Sequence, residues 1–159
     1  TDSDCIPHPE FVKRHAKAQN ILIGVRNRIY QTIAKNLTTK NVQNITEIPS
    51  YYDERHNYKP LTDQEDENAA DFCWGCNISF NKKDIIKAGN YDKSYVDWGF
   101  EDCDLALRII QKGIKTELDT ECIVYHLEHT TRCDRNNPKQ NENMHRYNNK
   151  KKPKIELII

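Results

Sequence analysis

The sequence predicts an α/β fold, and three features of it do so. Ile21-Leu22-Ile23-Gly24-Val25 is a short apolar run of strand length, and Glu101 to Lys112 carries an apolar stripe at helical spacing. Two further strand-length runs, 115–118 and 122–125, follow that helix directly. At 159 residues the chain has room for one core and not for two. Hydrophobic residues make up 36% and charged residues 30%, with mean hydropathy −0.91, so the chain is polar. Its apolar residues are grouped rather than diluted, which argues against general disorder. Lys+Arg (24) balances Asp+Glu (24), so no basic field points to nucleic acid. No uncharged run in this fragment is long enough for a membrane span, and no signal-peptide pattern opens it. Localisation is not legible; a bacterial source would imply the cytoplasm.

The elements follow in order. Pro9 at a first helical position and Glu10 in the first turn begin a helix running to about Gln19. The 21–25 run is the first buried strand, and one helix is expected around 28–36. Residues 50–70 are polar without period and read as a long surface loop. Asn77-Ile78-Ser79-Phe80 alternates as a strand does, and Lys82 to Ala88 reads as a short helix stopped by Gly89. In the helix from Glu101, the residues Leu105, Ala106, Ile109 and Ile110 form the stripe, and Gly113 caps the end. From Thr130 to Lys152 almost nothing is apolar, so this stretch reads as a mobile loop or tail. Lys154 to Ile159 resembles the start of another strand. With Thr1 in mid-element and this apolar end, the chain reads as an excised piece of a longer protein.

Four constellations can carry chemistry. Asp2-x-Asp4 offers two carboxylates that can reach one hard cation, Mg²⁺ or Mn²⁺, although a turn or capping role fits as well. Glu101-Asp102 opens the strongest helix behind Trp98-Gly99. First-turn acids favour the helix dipole without any catalysis. Alternatively, one acid is a general base while the other orients a substrate, Trp98 gives a flat apolar platform and Gly99 a close backbone approach. His126-x-x-His129 places two imidazoles where they can share a metal, or is a plain surface pair. The six cysteines read as scattered reduced thiols. A zinc site competes with that reading: Cys122-x3-His126-x2-His129-x3-Cys133 offers four donors in a short span, to which Cys73 and Cys76 could add, although the spacing matches no common finger.

The succession is more specific than its parts: D-x-D, then W-G-C-N-I-S-F, then A-G-N-Y-D, then W-G-F-E-D-C-D-L-A-L-R, then V-Y-H-L-E-H. Over roughly residues 1–135 it resembles the family 2 glycosyltransferases with the GT-A fold. It is also similar to the C-terminal domain of the β-1,4-galactosyltransferases and to bacterial chondroitin and hyaluronan polymerases. The resemblance implies the C-terminal portion of a Rossmann-like GT-A fold with a mixed sheet, starting at the D-x-D. Residues 136–159 would then be a polar lid or tail ending in a strand.

The resemblance also implies an inverting, metal-dependent transfer from a nucleotide-diphospho-sugar, UDP-linked, to a glycan or other hydroxyl acceptor. Asp102 matches the family's general base and Glu101 an acceptor-binding carboxylate. Trp98 and Gly99 match the sugar site, while Trp74 and Gly75 fall where the family lines the donor pocket. Asp4 and His129, with His126, would hold Mn²⁺ or Mg²⁺, and Asp2 would lie near the ribose or the metal. The family pattern usually has Gly where this chain has Phe100. It also places the base-binding strands before the D-x-D. Two other readings stand beside this one: a zinc-stabilised cysteine/histidine module, and a degenerate GT-A fragment that binds sugar without turnover.

Overall fold

The computed structural model describes residues 1–57, 67–129 and 137–151. Five strands form one sheet: β1 (Cys5–Pro7), β2 (Ile21–Ile29), β3 (Ser50–Tyr52), β4 (Ile78–Ser79) and β5 (Thr116–Leu127). The order is β1-β5-β2-β3, with β4 also pairing to β2. The long central pair β2/β5 is parallel and the other pairings are antiparallel, so the sheet is mixed, as expected. Helices α1 (Phe11–Lys17), α2 (Gln31–Ala34), α3 (Lys82–Lys87), α4 (Glu101–Ile110) and α5 (Pro138–Asn148) flank it, with several short 3₁₀ turns between.

The expected stripe of α4 is the centre of the main core. Leu105, Ala106, Ile109 and Ile110 are buried with Leu107 against Ile21 and Ile23 of β2 and against Ala69 and Ala70. A second cluster, on Ile29, Ile45 and Tyr125, takes in Ile6, Ile33, Leu37 and Ile48. Ile21 and Ile23 of β2 serve the first cluster and Ile29 the second, so the two lie at successive positions along one strand.

The two short strands expected at 115–118 and 122–125 are one strand broken by a bulge. Asp119 and Ile123 stand opposite the consecutive residues Gly24 and Val25. The residues between them therefore have no partner on β2, and side chains take up the polar groups this leaves. Asn77 Nδ2 donates to the carbonyls of Val25 (2.8 Å) and Cys122 (2.7 Å), and Asp119 Oδ1 accepts from the Glu121 and Cys122 N–H groups. His15 holds Asn77 Oδ1 at 2.9 Å through Nε2 and Ser79 Oγ at 2.7 Å through Nδ1. Gly24 is required there by space, since a Cβ would lie 2.3 Å from the Asn77 amide.

Other expectations change as well. The helix expected around 28–36 shrinks to α2, because β2 continues through Ile29. The 50–70 stretch, expected to be surface loop, contributes β3 and the buried residues Asp53, Arg55, Ala69 and Ala70; residues 58–66 lie outside the described part. The polar stretch after Thr130, read as loop or tail, contains α5. Asn137 caps this helix by accepting from Lys139 N, and Pro138 stands at its first position. One apolar residue anchors it: Tyr147 is 1% exposed, stacks on Phe100 at 5.6 Å and donates to Asp71 at 2.6 Å. Lys150 pairs with Asp92 and Asp104, and Lys151 with Asp71, all at 2.7 Å. The apolar run 154–159 and Cys133 lie outside the described residues.

Candidate active site

Three of the expected site residues converge across the antiparallel β1/β5 pair. The register sets Cys5 against His126, so Asp4, in the turn before β1, comes alongside the end of β5. Asp4 Oδ2 lies 2.9 Å from His129 Nε2 and 3.4 Å from His126 Nε2, and the two rings are 5.5 Å apart. Two donors at about 2.1 Å from one octahedral cation, at right angles to each other, are about 3 Å apart. The three donor atoms thus already stand near the spacing one ion would impose. Their types, one carboxylate and two imidazoles, can hold a divalent metal ion. Burial lowers the His126 pKa and favours the neutral ring that a metal needs. Burial raises that of Asp4, but the His129 hydrogen bond and the two imidazoles outweigh it and hold the carboxyl below its usual value. Asp2 is exposed, and with Asp4 and Cys5 it forms a second group of potential ligands around the same turn.

A second convergence joins Trp74-Gly75 to the start of α4. The Gly75 N–H donates to Asp102 Oδ2 at 2.9 Å, and the Tyr91 hydroxyl donates to Asp102 Oδ1 at 3.1 Å. A Cβ on residue 75 would meet Asp102 Oδ2 at 2.5 Å, so only glycine permits this approach. Burial raises the Asp102 pKa against the lowering effect of these two hydrogen bonds. Burial also pushes the Tyr91 hydroxyl up to about 12, assisted by the Asp102 charge. The Asp2 charge acts on Asp102, Cys5 and Cys76 alike, which ties the D-x-D turn to this second group. Trp74 packs beside Cys5 and Cys76 between the two. The Arg26 and Arg55 guanidiniums stand 5.3 and 4.8 Å from its ring, and Asp53 bonds both.

The W-G-F-E-D segment is a tight backbone bend. Asp97, Gly99 and Phe100 have φ of 69°, 113° and 70°. Phe100 is the N-cap of α4 in the left-handed region, where glycine is free of strain and phenylalanine is not. A glycine at this position would carry none of that strain. Here Phe100 is held by its stacking on Tyr147. Glu101 Oε2 accepts from the Gly99 N–H at 2.8 Å, and Gln140 of α5 lies over Gly99, 3.5 Å from where a Cβ would be. The Trp98 side chain is left largely in solvent, the residue being 59% exposed.

The contacts of Tyr91 with Asp102 and of Gln140 with Gly99 were not legible in the sequence. Tyr91 sits in a Gly-Asn-Tyr-Asp turn with no spacing that ties it to Asp102, and Gln140 is one amide in a polar run. Of the zinc alternative's cysteines, Cys73, Cys76 and Cys122 lie among the described residues and Cys133 does not. Cys73 and Cys76 belong to different core clusters, and among the described residues no group of potential metal ligands contains Cys73, Cys76 or Cys122. The five described cysteines are free and buried, and burial raises all of them, Cys5 and Cys103 to about 12 and Cys122 to about 11. A cavity of about 670 Å³ beside Ile33, Leu37 and Ile48 contains none of the site residues.

Residues 58–130 match the family model described as the N-terminal domain of galactosyltransferase. That stretch takes in Trp74, Gly75, the 98–102 segment, His126 and His129, and leaves Asp2 and Asp4 outside. Chondroitin sulfate synthase 3 from Homo sapiens is 40% identical over 60 residues, which is 37% of this chain and 7% of that protein; the Mus musculus protein matches to the same extent. The uncharacterized glycosyltransferase YfnE of Bacillus subtilis is 35% identical over 57 residues, 36% of this chain and 14% of that protein. Part of this chain is a GT-A-like glycosyltransferase domain. It is related there to enzymes of the chondroitin synthase type, and its mixed sheet with flanking helices agrees with that relation. The matched stretch is a small fraction of those relatives' length. Among the described residues of the GT-A-like domain no helix is long and apolar enough to cross a membrane.

Proposed function

We propose that this domain carries the metal-holding and acceptor-activating parts of an inverting glycosyltransferase. It would move a sugar from a nucleotide-diphospho-sugar, UDP-linked, to a hydroxyl of a glycan or other acceptor. The observation that carries this reading is Asp102. It is a partly buried carboxylate at the start of α4, aimed by Gly75 N–H and Tyr91 OH and electrostatically linked to the D-x-D turn.

Asp102 takes the proton of the acceptor hydroxyl as that oxygen attacks the anomeric carbon from the face opposite the leaving group. The new C–O bond forms while the bond to the diphosphate breaks, so one displacement inverts the configuration. The raised Asp102 pKa makes the carboxylate a stronger base than an exposed aspartate. Glu101 spends one oxygen on the Gly99 N–H and keeps the other for an acceptor hydroxyl. Trp98 offers an exposed ring on which a sugar face can lie, and Trp74-Gly75 lines the donor side. Asp4, His126 and His129 would hold Mn²⁺ or Mg²⁺, with Asp2 beside them. When bound, that ion neutralises charge developing on the departing nucleoside diphosphate.

The experiment is Asp102→Asn in the full-length protein, with Mn²⁺ and a UDP-sugar. Transfer should be abolished while donor binding persists, and full activity in the variant removes Asp102 from the base role. Purified protein should exchange Mn²⁺ freely. One tightly held zinc per chain would instead favour a structural metal module.

A further inference from the structure

One atom in the metal-holding group has no partner. His126 Nδ1 is buried without a hydrogen bond, although the other ring nitrogen faces Asp4 at 3.4 Å. A buried polar nitrogen left unpaired is destabilising, so its position calls for an acceptor. Glu128 Oε1 faces it at 3.7 Å, just beyond hydrogen-bond reach.

Glu128 is itself held in place. Arg28 Nη1 donates to the same Oε1 at 2.8 Å, and the Tyr51 hydroxyl interacts with both Glu128 and Arg28. The Glu128 N–H donates to the Ile29 carbonyl at 3.0 Å, which fixes the backbone where β5 ends. The register puts Cys5, His126, Arg28 and Tyr51 in one row across the sheet, so their side chains leave from one face. Arg28 and Tyr51 therefore tether a carboxylate next to the ring of His126 on the side away from Asp4.

We propose that Glu128 is the positioning residue for His126. It accepts a hydrogen bond from Nδ1–H and so selects the tautomer whose Nε2 lone pair points toward Asp4. This inference rests on reading Asp4, His126 and His129 as the metal-holding group. An imidazole has one N–H when neutral, and whichever nitrogen carries it cannot ligate. Near a bare Asp4 carboxylate, the competing tautomer with Nε2–H is favoured, because that proton can bond the carboxylate. Glu128 counters this preference from the opposite side. When a cation binds Nε2 it withdraws electron density from the ring and makes Nδ1–H a stronger donor. The gap to Glu128 then closes. Arg28 keeps the Glu128 carboxylate from turning into the site as a ligand in its own right.

The test is Mn²⁺ binding, followed by the electron paramagnetic resonance signal of free Mn²⁺, in the wild type, Glu128→Ala, Glu128→Gln, His126→Ala and His129→Ala. Circular dichroism and thermal melting establish that each variant is folded. Glu128→Ala should weaken Mn²⁺ binding about 10- to 100-fold, approaching His126→Ala. Glu128→Gln, whose amide oxygen still accepts from Nδ1–H, should retain most of the affinity. The Co²⁺ absorption bands should move in Glu128→Ala and stay near the wild type in Glu128→Gln. Wild-type affinity in Glu128→Ala beside weakened binding in His126→Ala overturns the proposal. So does a Glu128→Gln variant as weak as Glu128→Ala, which would mean that charge acts rather than the hydrogen bond. If neither histidine variant changes Mn²⁺ binding, the metal-holding reading fails, and the role of Glu128 with it.

Discussion

Replacing Gly75 with alanine tests whether the approach of the 74–75 backbone to Asp102 sets the geometry of the site. The added Cβ would lie 2.5 Å from Asp102 Oδ2, 3.2 Å from Cγ and 3.4 Å from Oδ1. An ordinary carbon–oxygen contact is about 3.3 Å or more, so the carboxylate or the turn must shift by nearly 1 Å. That shift breaks the 2.9 Å hydrogen bond from the Gly75 N–H. A hydrogen bond to a charged group contributes about 1.5–3 kcal/mol, and forced overpacking costs about 1–3 kcal/mol. Because Asp102 is only partly buried and can relax toward solvent, a net loss of about 2–3 kcal/mol is expected. A misplacement of this size should also lower turnover about 100-fold. Urea denaturation gives the first number, and transfer assays on the full-length protein at saturating donor give the second. Gly75→Ala with wild-type stability and turnover would refute the reasoning. Loss of stability with unchanged turnover would leave the packing argument standing and remove the catalytic one.

Three further outcomes follow from the fold. Gly24→Ala should destabilise the chain by about 3 kcal/mol or more, since its Cβ meets the fully buried Asn77 amide that serves two strand carbonyls; urea denaturation measures this, and the double variant with Asn77→Ser should recover part of the loss. At position 100, glycine should be more stable than alanine by about 1 kcal/mol despite its greater chain entropy, because φ is 70° and alanine keeps the strain without the Tyr147 stacking; thermal melts of Phe100→Gly and Phe100→Ala decide it. His15 has its pKa lowered by burial from 6.5, so below that value the unfolded chain takes up a proton that the folded chain resists. Stability should fall as pH drops from about 7 toward 5, and His15→Gln should flatten that slope in denaturation curves taken across the range.

What the sequence disclosed divides along physical lines. The α4 stripe was legible because Leu105, Ala106, Ile109 and Ile110 repeat at helical spacing on successive turns, and all four are core. The bulge in β5 was not, because the group that supports it, Asn77, is 45 residues from Cys122 along the chain and carries no local signal. Helix α5 was missed because its polar face leaves only Tyr147 as an apolar anchor, although Asn137-Pro138 did hold a cap and a first-turn proline. In the site, the D-x-D, the Trp98–Asp102 segment and the His126/His129 pair were readable as local patterns. The sheet register brings Asp4 to the two histidines. No pattern linked Tyr91 to Asp102, and none linked Glu128 to His126, since those contacts depend on how side chains leave a turn and a strand end.

Asp4 and His129 are 125 positions apart and meet only because β1 pairs with the last residues of β5. An ion held by both would act as a clasp on the chain, closing a loop about as long as the domain itself. Loop-closure entropy grows only logarithmically with length, and a covalent link over about 100 residues is worth roughly 4–5 kcal/mol in that model. A coordinated ion would make the weakly anchored three-residue strand β1 cooperate with the rest of the sheet, so that metal affinity and folding stability rise and fall together. Mn²⁺ binding would then report whether the turn before β1 and the end of β5 have come together.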